Sequence, residues 1–128
     1  MTTVGIIANP ASGKDIRRLV AHGRFIPNHE KVNILRRILA GLAAVGVEQV
    51  VVMPEPAMLV KAASGSARCN LEIQFLNMPV YGEARDSTKA AELMSEMGVG
   101  CLVVLGGDGT NCAVAKGSKG IPLVPVST

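Results

Sequence analysis

Leu102-Val103-Val104-Leu105-Gly106-Gly107-Asp108-Gly109-Thr110 is the stretch that decides the fold. A short apolar run that ends at a glycine predicts a buried strand, and residues 111–116 predict the first turns of a helix. Three glycines at this junction allow positive φ and let another molecule approach the main chain closely. Backbone N–H groups of such a turn, together with the N-terminus of the next helix, bind phosphate well. The stretch therefore predicts a phosphate-binding turn between a strand and a helix.

Two side chains give this turn further chemistry. Asp108 is a carboxylate that would repel phosphate, so it needs another role: contact with a ligand hydroxyl, with Mg²⁺, or with a proton that is to be removed. Thr110 can cap the following helix or donate its hydroxyl to a phosphate. A purely structural strand-to-helix turn is the alternative, but it requires fewer glycines than this one has.

Two better-known phosphate motifs are excluded by inspection. A Walker A loop ending at Gly13-Lys14 would need glycine at position 8 and Ser or Thr at position 15, where the chain has Ala8 and Asp15. The dinucleotide fingerprint would need Gly or Ala where Cys112 stands. The sequence therefore fits neither a P-loop ATPase nor an ordinary dehydrogenase.

Strands and helices alternate along the chain. Strands are predicted over residues 4–8, 47–53, 71–76, 101–105 and 121–126, and helices over 14–25, 31–45, 57–67 and from Asp86 or Ser87 as cap to Met97. Alternating polarity places 71–76 near a sheet edge, and Ala90, Leu93, Met94 and Met97 are expected to face the core. The alternation predicts an α/β fold, a three-layer Rossmann-like domain with a mostly parallel sheet.

Composition sets the limits of the function. The chain has 128 residues, 48% of them apolar, and a formal net charge of +3, so we expect one domain with anionic ligands. The charge is too weak and the aromatic residues too few to favour nucleic acid, and no apolar run is long enough for a membrane span. Three cysteines form no Cys-x-x-Cys pair, which disfavours zinc and disulfides, and Cys101 is expected to be a buried apolar residue. A cytoplasmic protein without a secretory leader is expected.

A second loop is predicted at the same edge of the sheet. Asn9-Pro10-Ala11-Ser12-Gly13-Lys14 follows the first strand, and loops after parallel strands share one edge, so it is expected to face Asp108. Asn9 and Ser12 would supply polar groups, Gly13 close approach to the backbone, and Lys14 charge for nucleotide phosphates. The alternative is an Asn-Pro turn that merely connects two elements.

These motifs resemble those of a known superfamily. The Gly-Gly-Asp-Gly-Thr turn resembles that of NAD kinases, diacylglycerol and sphingosine kinases and, more distantly, phosphofructokinases. Residues 4–15 look like the first strand and loop of the same families, and together with residues 78–88 the chain is most similar to the ATP-NAD kinase-like family of acetoin-catabolism proteins, over essentially its whole length. It departs from that family at Cys112, where arginine is common.

The resemblance implies a function and a set of site residues. It implies that residues 1–128 are the nucleotide-binding, N-terminal part of a longer two-domain phosphotransferase. This enzyme would use ATP and Mg²⁺ and act on a hydroxyl, with NAD as a possible substrate through its ribose 2′-hydroxyl. Asp108 would orient or deprotonate that hydroxyl. The residues expected to bind the nucleotide are Asn9, Ser12, Gly13, Lys14, Thr88, Gly106, Gly107, Gly109, Thr110 and Asn111, and no protein metal ligands are assigned.

Two alternatives remain open at this point. One is a binding module without chemistry, which holds a nucleotide to regulate acetoin catabolism. The other is a lipid or diacylglycerol-type kinase, which shares the glycine motif but does not resemble this chain over residues 78–88. The expected partners are small-molecule nucleotide substrates, with neither nucleic acid nor a membrane, and a homo-oligomer is possible.

Overall fold

The computed structural model describes residues 2–11, 27–66 and 70–127. The predicted helix over 14–25 lies outside them, as do Ser12, Gly13 and Lys14. The described elements are, in chain order, β1 (Thr3–Ala8), α1 (Asn28–Ala44), β2 (Gln49–Val52), α2 (Leu59–Ser66), β3 (Glu72–Phe75), α3 (Ala84–Met97), β4 (Cys101–Leu105), α4 (Asp108–Gly117) and β5 (Leu123–Val126). Apart from α3 and α4, the predicted elements within these ranges are present with ends that move by only a few residues.

The described strands form one parallel sheet in the order β3-β2-β1-β4-β5. The chain builds outward from β1 in one direction, then returns past β1 to add β4 and β5 on its other side. The order therefore reverses between β1 and β4, and open sheets of this kind bind ligands at the carboxyl ends of the strands at such a point. The α/β class and the edge position of β3 are confirmed.

Two apolar cores lie on opposite faces of the sheet. Ile6 and Val52 pack with Leu35 on the face covered by α1 and α2, whereas Ile7 and Val104 pack with Met94 on the face covered by α3 and α4. Successive strand residues point to opposite faces, so a strand that is covered on both sides must be apolar throughout. This explains the uninterrupted run over residues 102–105, and it gives the three layers that the sequence predicts.

The start of α3 corrects one prediction. The helix begins at Ala84 after the cap residue Glu83, so neither Asp86 nor Ser87 is the cap. Asp86 instead occupies the third helical position, from which its carboxylate turns back to the N–H group of Glu83. A carboxylate at this position stabilises a helix that starts upstream of it, so the helix start lies before the residue that the pattern favours.

The inner face of α3 also differs from the prediction. Ala90 and Met94 are buried as expected, but Met97 is 47% exposed and Leu93 is only half-buried. A step of three residues rotates a side chain about 60° away from the previous one, so Met97 in the last turn lies beside the buried stripe.

Cys101 is half-buried at the start of β4, and burial raises the pKa of its thiol above the usual value. Cys101 is therefore less buried than expected, although it packs against the apolar core beneath α1 and α2, and a raised pKa disfavours the reactive thiolate. In the described parts of the chain, no helix combines the length and apolar character needed to cross a membrane.

Candidate functional site

The loops after β1 and β4 meet at one edge of the sheet. Ala8 and Leu105 are register partners at the ends of the two strands. The N–H group of Asn9 donates to the carbonyl of Leu105 at 3.0 Å, and its side-chain Nδ2 donates to Oγ1 of Thr110 at 2.9 Å. The sequence prediction that these two loops share an edge is therefore confirmed, and Asn9 and Thr110 join them directly.

The glycines of the turn are needed for the space that a missing side chain leaves, and not for unusual backbone angles. Gly106, Gly107 and Gly109 all lie outside the positive-φ region, so the expectation of positive φ at this turn is wrong. A Cβ atom on Gly106 would lie 2.7–2.9 Å from three side-chain atoms of Thr110, whereas one on Gly107 or Gly109 would meet no atom within 4 Å. Gly106 is thus required by the packing of Thr110, and the other two leave the main chain open to a ligand.

Helix α4 begins earlier than predicted, and its start is open. It starts at Asp108 rather than Asn111, with Gly107 as the cap residue, so Thr110 does not cap it. Tertiary contacts explain the difference. The hydroxyl of Thr110 accepts a hydrogen bond from Asn9, and Nδ2 of Asn111 donates to the carbonyl of Gly107 at 3.0 Å. Because glycine has no side chain, the N–H groups of the first turn receive no cap from it.

Asp108 is exposed at the first position of this helix. Among the residues that the structure describes, its carboxylate has no hydrogen-bond or ion-pair partner. Its side chain lies on the wall of the cavity at the strand ends. Asp108 is therefore a carboxylate that this part of the molecule leaves available to a ligand.

The cavity at this edge has a volume of about 550 Å³. Four segments form its wall: the loop after β1, the loop after β2, and the starts of α3 and α4. The lining residues are Asn9, Pro10, Ala11, Met53, Glu55, Pro56, Val80, Gly82, Glu83, Ala84, Asp86, Ser87, Gly107, Asp108, Gly109 and Thr110. Of the predicted site residues, Asn9, Gly107, Asp108, Gly109 and Thr110 are brought together here, and Gly106 and Asn111 adjoin them in the turn and helix.

The start of α3 faces the same cavity, but a side chain of the protein already accepts the N–H groups there. The carboxylate of Asp86 accepts the N–H groups of Tyr81 (3.1 Å), Gly82 (2.8 Å) and Glu83 (3.2 Å), and the residue is only 5% exposed. Charge-assisted bonds to several N–H groups satisfy such a buried anion. The protein thus places its own negative charge at the positive end of α3.

Thr88 does not join this cavity. Its hydroxyl donates to the carbonyl of Ala113 on α4 at 2.7 Å, and it lines a separate cavity of about 560 Å³ whose wall includes Lys89. In the same wall, Arg85 stacks over the ring of Tyr81, 3.7 Å from its centroid. A nucleotide contact by Thr88 stays a prediction that rests on family resemblance.

Two residues at the site were missed from the sequence. Lys31 is completely buried, and its Nζ donates to the carbonyls of Pro10 at 2.6 Å and Asn9 at 3.4 Å. The signal was its four-residue spacing from the core residue Leu35, which puts a lysine on the buried stripe of α1. Glu55 lies in the loop after β2, and its Oε1 accepts the N–H group of Leu59 at 2.6 Å. Its position after a strand end was the available signal.

The groups at the start of α4 are of the types that fit a phosphate carried with Mg²⁺. Within the described ranges, no group of three or more His, Cys, Asp or Glu residues could hold a metal ion. Mg²⁺ usually keeps several waters and binds through one or two carboxylates plus substrate phosphates. At the start of α4 an exposed carboxylate, Asp108, lies beside helix N–H groups of the kind that bind phosphate.

Comparison with known proteins agrees with this geometry. Residues 4–128 match the family described as "ATP-NAD kinase N-terminal domain", and the chain belongs to that family. It is 40% identical over 132 residues to "Acetoin catabolism protein X" of Cupriavidus necator, an alignment that covers 98% of this chain and 37% of that protein. The chain thus spans well under half the length of this relative. No solved structure matches it.

Family membership defines the chain as a kinase-like, nucleotide-binding domain. The family implies ATP and a divalent metal ion only in general terms, and the name of the relative refers to acetoin catabolism rather than to a reaction. Family resemblance and the fold therefore agree on the class of protein and leave the reaction to be proposed.

Proposed function

We propose that this domain binds the phosphates of ATP at the start of α4 and presents Asp108 to the hydroxyl that receives a phosphoryl group. The observation that carries the proposal is the environment of Asp108. It is an exposed carboxylate without a partner among the described residues, and it stands at the uncapped start of a helix in the wall of a 550 Å³ cavity. In accord with the family, the reaction is phosphoryl transfer from ATP to a hydroxyl, by resemblance the ribose 2′-hydroxyl of NAD.

The phosphates would lie against the first turn of α4. The N–H groups of Asp108, Gly109 and Thr110 point along the helix axis toward the cavity, and they carry the partial positive charge of the helix. The open space at Gly107 and Gly109 lets a phosphate approach the main chain closely. A Mg²⁺ ion bound with the nucleotide would neutralise charge on the phosphates.

Thr110 can contribute a further bond. Its oxygen already accepts a hydrogen bond from Asn9, but a hydroxyl also carries one proton to donate. Since Asn9 fixes the oxygen, the proton remains available to a phosphate oxygen in the cavity. Thr110 would then have two roles: its oxygen joins the two loops through Asn9, and its proton binds the ligand.

Asp108 would act on the acceptor. Phosphoryl transfer depends mainly on positioning and charge neutralisation, so a carboxylate that orients a hydroxyl or takes its proton is a sufficient contribution from a side chain. We also propose that groups which hold the acceptor come from another part of the whole protein, beyond residues 1–128. The greater length of the relative supports this view.

The test is an assay of the whole protein with Mg²⁺, ATP and NAD, with NADP detected by chromatography. Asp108→Asn should lower the rate by about a hundredfold or more, the usual contribution of a positioned acid or base. Glu96→Gln is the matched control, because Glu96 is an exposed carboxylate in the last turn of α3, at the end opposite the cavity. Residues 1–128 alone are expected to bind ATP but to turn over little.

Other acceptors separate the rival functions. No product with NAD or with diacylglycerol, while ATP binding is intact, would favour the binding module without chemistry. Cys112, which is exposed, favours that module, because by resemblance the family often has arginine at this position. Phosphorylation of diacylglycerol but not NAD would favour the lipid kinase.

A further inference from the structure

Lys31 occupies an unfavourable place for a lysine. Its side chain is completely buried, although lysine is almost never fully buried unless it is paired. It stands at the fourth residue of α1, where the positive end of the helix dipole disfavours a cation. Such a position requires compensating interactions, and the carbonyls of Pro10 and Asn9 provide two of them.

The ammonium group holds the loop that enters the candidate site. The carbonyl oxygen of Pro10 lies 2.6 Å from Nζ of Lys31 and that of Asn9 lies 3.4 Å from it. Both carbonyls therefore face the ammonium group on α1. The side chain of Asn9 makes different contacts: its Oδ1 accepts the N–H group of Ala11 at 2.9 Å, and its Nδ2 donates to Thr110.

From Asn9 the contacts continue to the opposite layer of the domain. Thr110 is 8% exposed, belongs to the first turn of α4 and packs against Gly106 so closely that no Cβ fits between them. Helix α1 covers one face of the sheet and α4 the other. The series Lys31, Asn9, Thr110 therefore crosses between the layers at the point where the strand order reverses.

We infer that Lys31 is a positioning residue for the phosphate-binding turn, acting through Asn9 and Thr110. It touches no ligand itself. Loss of its ammonium group would release the carbonyls of Asn9 and Pro10, allow the side chain of Asn9 to leave Thr110, and loosen the first turn of α4 beside Asp108. This inference rests on the proposed function for its ligand, but its structural part stands independently.

The test compares three lysine variants of the chain, labelled with ¹⁵N. Lys31→Met removes the charge and the donors at similar size, Lys31→Gln keeps N–H donors without the charge, and Lys61→Met removes an exposed lysine on α2 as the control. The first readout, without ligand, is the set of amide resonances of Asn9, Asp108 and Thr110. The second is the affinity for MgADP, measured by calorimetry well below the melting temperature of each variant.

We expect Lys31→Met to shift the resonances of Thr110 and of the Asn9 side-chain amide and to weaken MgADP binding about tenfold, the effect of one lost charged hydrogen bond. Lys31→Gln should recover part of both, because it restores a donor, and Lys61→Met should change neither. Unchanged resonances at Asp108 and Thr110, or shifts without loss of affinity, would overturn the inference. Absence of MgADP binding in the unmodified chain would count against the proposed function, and the ligand-free resonances would then decide the role of Lys31 alone.

Discussion

Two helices begin at the same cavity, and they differ in what fills their positive ends. At the start of α3, the buried carboxylate of Asp86 accepts N–H groups from three successive residues, Tyr81, Gly82 and Glu83. At the start of α4, the cap residue is Gly107 and the carboxylate of Asp108 is exposed, without a partner in the described parts of the chain. The first helix carries its own anion, whereas the second leaves its N–H groups to an external one.

The difference follows from the position of the aspartate in each helix. Asp86 is the third helical residue, from which a side chain can turn back over the helix start, as in a capping box. Asp108 is the first helical residue, and there it is exposed on the wall of the cavity. A helix start that faces a cavity is thus a phosphate site only where the chain does not already satisfy it. We therefore propose the phosphates at the start of α4 rather than at that of α3.

The largest expected effect tests that difference directly. Asp86→Ala should lower the free energy of unfolding by about 3 kcal/mol, because three N–H groups lose a charged acceptor in a buried place. Asp108→Ala, the same substitution at the start of α4, should change it by less than about 0.5 kcal/mol. Urea unfolding followed by far-ultraviolet circular dichroism measures both values. Equal losses for the two variants would show that Asp108 also serves the stability of its helix.

The glycine turn offers a second pair of matched variants. Gly106→Ala should cost about 2 kcal/mol of unfolding free energy, because its Cβ would overlap the side chain of Thr110. Gly107→Ala should leave stability within about 0.5 kcal/mol but weaken MgADP binding about tenfold, because its methyl group would occupy the space open to a phosphate. Unfolding curves and calorimetry on both proteins measure the two effects. A Gly107→Ala protein that binds MgADP normally would move the phosphates away from the α4 start.

Much of this site is predictable from the sequence because its main determinants are local. The apolar run over residues 102–105 defines a strand that is covered on both faces, and parallel strands bring the loop of Asn9 to the edge of Asp108. Helix starts were less predictable, since Asp86 and Thr110 both have cap-forming side chains and use them elsewhere. A short-range pattern does not show which hydrogen-bond partner a side chain takes in the fold. Thr110, for example, bonds to Asn9, which is distant in the chain.

Other features depend on contacts that no local pattern contains. Gly106 is required because the side chain of Thr110 packs against it, and not because of its own backbone angles. Lys31 shares a helix face with Leu35, so its burial was foreseeable, but its binding to the carbonyls of Pro10 and Asn9 was not. The site is thus predictable where hydrophobic periodicity decides the structure, and unpredictable where a polar group has a choice of partners.

The smallest expected effect concerns the prediction for Thr88, which family resemblance supports and the geometry leaves open. Thr88→Val keeps the shape of the side chain and removes the hydroxyl that donates to Ala113 across the contact of α3 with α4. We expect a loss of about 1 kcal/mol in unfolding free energy, typical of one buried hydrogen bond, and no change in affinity for MgADP. Thr110→Val is the matched control, since it should lose a similar amount of stability and also weaken MgADP binding. The opposite result would be a Thr88→Val protein of unchanged stability that binds MgADP as weakly as Thr110→Val does. In that case α3 contributes to the nucleotide site, and the contrast between the capped start of α3 and the uncapped start of α4 does not determine where the phosphates bind.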